Sequence, residues 1–219
     1  MLTWTMYLKI FTALLAIVDP IGSIPMFIGM TDRHDAKERY RIALVAAVTM
    51  AAVLAGACLF GDAILRLFGV KIASFRVGGG ILLLLVAISM FNAEYGRSRQ
   101  TPEEAAEAEE RGGGVGVVPL AIPLLSGPGA ISTMIIYTSQ GEGPGHLAFM
   151  VGGSALLGAV VWISLRLAIP IGSRLGRTGI NIVRRLMSLL LAAIAVEFIA
   201  GGIGELFPAL TSSGFLSPR

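Results

Sequence analysis

Long apolar runs alternate with short polar connectors along almost the whole chain. Six runs approach the ~20 residues that carry a helix through a hydrocarbon core about 30 Å thick. They cover Tyr7–Met30, Ile42–Phe60, Ile72–Phe91, Val117–Tyr137, Leu147–Ile169 and Leu186–Phe207. Sliding the chain against itself by 108 residues, without gaps, sets Pro20 on Pro128, Arg66-Leu67 on Arg174-Leu175, Ile72 on Ile180, Arg76 on Arg184, Leu82-Leu83 on Leu190-Leu191 and Ala87 on Ala195. Runs one to three then fall on runs four to six. Each half holds an odd number of spans, so a repeat must insert in the opposite sense, as in many secondary transporters. The pattern predicts an all-α membrane protein of six transmembrane helices in two inverted three-helix repeats, 1–91 and 117–219, joined by a polar cytoplasmic linker at 92–116.

Composition supports bilayer as the solvent. Of 219 residues, 55% are hydrophobic and 14% charged, where soluble domains carry about 25% charge. The net charge of +3 is no nucleic-acid signal, because the basic residues lie mainly between apolar runs and no basic patch is interleaved with aromatics. Twelve of the 17 Lys and Arg fall on one side of the expected bundle, among them Arg33, Lys37, Arg39, Arg41, Arg166, Arg174, Arg184 and Arg185. The positive-inside rule makes that side cytoplasmic and puts both termini in the periplasm if the membrane is a bacterial inner membrane. No basic leader precedes the first run, which is expected to be a retained helix. The lone Cys58, inside an apolar run, reads as packing; it allows no intrachain disulfide and supports no Cys-based metal site. In the linker, Thr101-Pro102-Glu103-Glu104 fits a capping box and Gly112-Gly113-Gly114 would end its helix. That segment is either a solvated connection or a docking site.

Two segments interrupt their spans and correspond under the 108-residue register: Asp19-Pro20-Ile21-Gly22-Ser23 and Ser126-Gly127-Pro128-Gly129-Ala130. Proline has no N–H, so Pro20 frees the carbonyl of Ala16 and Pro128 that of Leu124. Irregular backbone at membrane depth is tolerated where protein buries it or where it lines a wet cavity. Spans one and four are therefore expected to be broken near the bilayer centre, each presenting the positive end of a half-helix to an anion. An intramembrane acid usually marks an ion or substrate path, which singles out Asp19. The same aspartate, just before proline, is also a natural N-cap. Ser23, Ser126, Ser132 and Thr133 offer hydroxyls to a substrate or simply pack helices together. Glu197, inside span six, is a second intramembrane carboxyl group and, with Asp19, a candidate for coupling. Arg76 and Arg184 are expected to snorkel at the entrances of spans three and six.

An enzyme is not expected. His34 and His146 lie in separate connectors outside any H-E-x-x-H pattern, no G-x-S-x-G turn occurs, and Gly78-Gly79-Gly80 lacks the Lys of a phosphate loop. Nor is a metal or cofactor. The glycine clusters read as close helix packing.

On Asp19-Pro20-Ile21-Gly22-Ser23-Ile24-Pro25, Phe75-Arg76-Val77-Gly78-Gly79-Gly80-Ile81-Leu82-Leu83 and Pro119-Leu120-Ala121-Ile122-Pro123-Leu124-Leu125-Ser126-Gly127-Pro128-Gly129-Ala130, the chain resembles the MarC family of bacterial inner-membrane proteins, whose relatives include SnatA-type transporters. The resemblance runs over essentially the whole chain. It implies six spans and uptake of glycine, alanine and similar neutral amino acids, with H+ or Na+ as coupling ion. Family members more often carry Gln at the position of Glu197, so a proton-related role there is not one the resemblance implies. The expected substrate site is Asp19, Pro20, Gly22, Ser23, Ser126, Gly127, Pro128, Gly129, Ala130 and Ser132, worked by alternating access. Asp19 would face an ammonium group or coupling cation, and the amides near Gly127 would receive the carboxylate. A non-transporting scaffold or an exporter of metabolites or drugs are the competing readings. Self-association into a homo-oligomer is compatible with each.

Overall fold

A computed structural model describes residues 4–31, 34–92 and 126–208. The linker capping box and the first part of span four lie outside these residues. The described chain forms seven helices: α1 (Trp4–Val18), α2 (Ile24–Thr31), α3 (Ala36–Leu67), α4 (Ile72–Phe91), α5 (Pro128–Ser139), α6 (Pro144–Arg166) and α7 (Ala168–Leu206). No strand occurs among them.

Four segments are long and apolar enough to cross a membrane: α3, α4, α6 and the Thr178–Leu206 part of α7. Between 22% and 33% of each apolar core segment is buried within the molecule. The rest is outward-facing and greasy, as at Val48, Phe60, Ile81, Leu156 and Leu189, which suits a lipid solvent and no aqueous one.

Expected and observed boundaries differ where polar chemistry extends a helix past its apolar run. Span two, expected at 42–60, is a 32-residue helix. It begins in a capping box in which the Asp35 carboxylate accepts the Glu38 N–H at 2.7 Å and Glu38 reaches back to the Asp35 N–H. Its far end carries an Asp62–Arg66 ion pair at 2.8 Å. The connector expected between spans five and six is instead helical from Ala168, interrupted only at Gly176, whose φ of 61° suits glycine. Arg184 and Arg185 therefore lie within α7, not in a loop.

The closest helix crossing joins α4 to α7. A β-carbon on Gly80 would lie 2.9 Å from the Ala195 carbonyl oxygen, and one on Gly202 would lie 2.8 Å from that of Ala73. Backbone-to-backbone approach of this kind needs small residues. α3 packs on α6, and α5 fits between α3 and α4 with α1 beside it. The starts of α1, α4 and α6 meet the ends of α5 and α7 at one end of the bundle: Tyr7 stacks on Phe149 and bonds His146, and Arg76 pairs with Glu205. The α2–α3 turn and the α6–α7 junction mark the opposite end.

Candidate functional site

Span one is broken where Pro20 and Gly22 require. α1 stops at Val18, Asp19 turns with a positive φ of 48°, and α2 starts at Ile24. Local polar groups hold the turn. Asp19 Oδ1 accepts the Gly22 N–H at 3.0 Å, and the Ser23 hydroxyl donates to the Pro20 carbonyl at 2.7 Å. Asp19 thus caps the turn itself, and α2 begins one step later. A β-carbon on Gly22 would run into the Asp19 carboxyl group, so glycine is needed for the acid to fold over the turn.

Arg184 enters from α7. Its Nη2 donates to the Gly22 carbonyl at 2.8 Å, which replaces the expected snorkelling with a tie to the broken segment. Arg76, its counterpart 108 residues earlier, behaves differently: it reaches Glu205 at 2.7 Å and lies 5.9 Å from the Phe198 ring centre. Neither arginine is merely interfacial.

In span four, α5 starts at Pro128 with Gly127 as N-cap and no side-chain cap. Of the amides expected to receive an anion, that of Ala130 already donates to the Gly127 carbonyl at 2.9 Å. The Ile17 methyl lies 3.9 Å from where a Gly129 β-carbon would stand, so the end of α1 and the first turn of α5 are neighbours. Asp19, Pro20, Gly22, Ser23, Ser126, Gly127, Gly129, Ala130 and Ser132 are all buried; Pro128 is exposed. Ser132 packs against Gly79 of α4, the packing use of a small hydroxyl. Thr133, four residues after Gly129 and on the same helix face, is fully buried, and its hydroxyl takes no hydrogen bond. A buried orphan hydroxyl calls for a partner.

A cavity of about 480 Å³ opens at the end of the bundle where α1 begins, lined by Lys9, Ala16, Arg76, Tyr137, Gln140, Glu197 and neighbouring apolar side chains. It reaches Ala16, three residues short of Asp19. None of the ten expected substrate contacts lines it; Glu197 does. The end of α1 and the first turn of α5 are adjacent, and Ile17 and Val18, which follow Ala16 in the chain, are fully buried.

Comparison with known proteins gives the lineage. The sequence model for MarC family integral membrane proteins matches residues 4–207. The chain belongs to the MarC family. Its MarC relatives include UPF0056 membrane protein YhcE of Escherichia coli, 41% identical over 93% of this chain and 94% of its own length. UPF0056 membrane protein YvbG of Bacillus subtilis is 34% identical over 93% and 96%, and MJ1677 of Methanocaldococcus jannaschii 33% over 90% and 95%. No solved structure gives a significant match.

Sequence reasoning missed the pair formed by the Tyr7 hydroxyl and His146 Nδ1, 3.0 Å apart, with His146 almost wholly buried. A histidine immediately before one apolar run, with a tyrosine at the start of another, was the available signal. Tyr137 and Gln140 in the cavity had none, since their grouping with Glu197 depends on how α5 meets α7.

Proposed function

We propose that this MarC protein is a secondary transporter of small neutral amino acids, such as glycine and alanine, working by alternating access across the cytoplasmic membrane. The observation that carries the reading is a buried carboxylate, Asp19, in a helix break packed beside the uncapped first turn of α5. An α-amino acid carries one cation and one anion a few ångströms apart. Asp19 suits the ammonium group or a coupling H+ or Na+, while the Gly129 amide and Thr133 hydroxyl on one face of α5 suit the carboxylate. Chemistry on the substrate is not part of the proposal, and Glu197 in the adjoining cavity is the second candidate for coupling.

Several features support two inverted repeats of three spans. α3 packs on α6 and α4 on α7, which pairs span two with five and three with six. Leu83 and Leu191, like Ala87 and Ala195, are buried in matching places. Arg184 holds the Gly22 carbonyl, while Arg76 does not hold the corresponding carbonyl of Ala130 but turns to Glu205. If the halves are inverted repeats that alternate access, one end state would use matched residues unequally in this way. Helical spans suit the cytoplasmic membrane, since bacterial outer membranes take closed barrels.

Thermal unfolding of the detergent-purified protein against a panel of amino acids tests the site. A ligand that prefers the folded state raises the apparent midpoint. Glycine and alanine are expected to do so and leucine and glutamate are not, with the response abolished by Asp19→Asn and by Gly127→Val. Undiminished responses in both variants would place the site elsewhere. A wild type indifferent to every amino acid would remove the substrate class.

A further inference from the structure

At the end of the bundle opposite the Glu197 cavity, α2, α3, α6 and α7 enclose a second cavity of about 460 Å³. Its lining combines the apolar side chains of Phe27, Ile28, Leu165 and Ile169 with the basic ones of His34, Arg39 and Arg166. The two guanidinium groups are held in place: Arg39 Nε donates to the Thr31 carbonyl at 2.9 Å, and Arg166 lies 5.5 Å from the Tyr40 ring centre and 5.4 Å from that of Trp162. His34 Nδ1 is buried and takes no hydrogen bond.

Fixed cations and apolar side chains lining one cavity of a membrane protein match a molecule with an anionic head and an apolar tail. We propose that this cavity binds the headgroup of an anionic phospholipid, its phosphate between Arg39 and Arg166 with His34 as a further donor, and its acyl chains running along Ile28 and Ile169. Free phosphate shares the head chemistry but leaves the apolar side chains uncovered. Basic pockets between membrane helices hold acidic lipid heads in this manner. The site is separate from the Asp19 region and stands whether or not the chain carries amino acids.

The test uses the full chain in detergent, with retained lipid counted by native mass spectrometry and stability read as the thermal midpoint. Phosphatidylglycerol, phosphatidylcholine and inorganic phosphate are the probes. Phosphatidylglycerol is expected to be retained in preference to phosphatidylcholine and to raise the midpoint, whereas phosphate does neither and does not displace it. Arg39→Gln and Arg166→Gln should each weaken retention about fivefold, the change matching ~1 kcal/mol per cation near an anionic surface. Arg66→Gln, which alters an exposed ion pair at the other end, should retain lipid like the wild type. Wild-type selectivity decides the matter even where a pocket variant does not fold. Equal retention of both lipids, phosphate that stabilises as well and displaces phosphatidylglycerol, or a loss in Arg66→Gln as large as in the pocket variants would each overturn the proposal.

Discussion

Asp19 adopts φ 48°, a region where Asn and Asp are the commonest residues after glycine. Its carboxylate also caps Gly22. Asparagine keeps both properties and removes only the charge, so Asp19→Asn should fold with a stability within ~1 kcal/mol of wild type while losing the response to substrate. Asp19→Leu loses the cap and the conformational tolerance together, and a drop of about 2 kcal/mol or more is expected from unfolding in detergent. Gly22→Ala forces a β-carbon into the carboxyl group and should cost about 1–3 kcal/mol. This part of the site was legible because proline and glycine act on the chain immediately around them. The tie from Arg184 was not: it spans 162 positions, and a lone arginine near a span entrance reads equally well as snorkelling.

Among elements, the apolar pattern located the lipid-crossing part of α3 but not its ends. Residues 42–61 carry no charge and, at 1.5 Å each, span about 30 Å. Helix beyond that stretch depends on the Asp35–Glu38 box, a signal present in the sequence, and on the Asp62–Arg66 pair. α7 begins well before the apolar run at Leu186, because the four arginines Arg174, Arg177, Arg184 and Arg185, which by charge alone suggest a connector, lie within the helix. The bond from Arg184 couples α7 to the α1–α2 turn. Its loss in Arg184→Gln should cost about 1.5–3 kcal/mol, the range for a hydrogen bond to a charged group. Arg76→Gln should cost no more than ~1 kcal/mol, because Glu205 is half exposed. Comparing the two thermal midpoints checks this ordering, and equal losses would contradict it.

For the whole molecule, Arg39, Arg41 and Arg166 lie in helix segments at the α2–α3 end, the end that the positive-inside rule would make cytoplasmic. In a Cys58→Ser background, Glu142→Cys is expected to react with an impermeant maleimide on intact cells, and Arg174→Cys only after permeabilisation. The reverse pattern would invert the molecule. The correspondence of the two interrupted segments along the chain predicts that they meet, and Ile17 at the end of α1 does approach Gly129 of α5. That none of the expected substrate contacts lines the adjoining cavity was not legible, because a cavity lining depends on how distant helices pack. The most direct measurement is accumulation of radiolabelled alanine in proteoliposomes under an imposed proton or sodium gradient. Saturable, gradient-dependent accumulation by the wild type that disappears in Asp19→Asn is the expected result; flux no greater than in protein-free vesicles, or undiminished in Asp19→Asn, would contradict it.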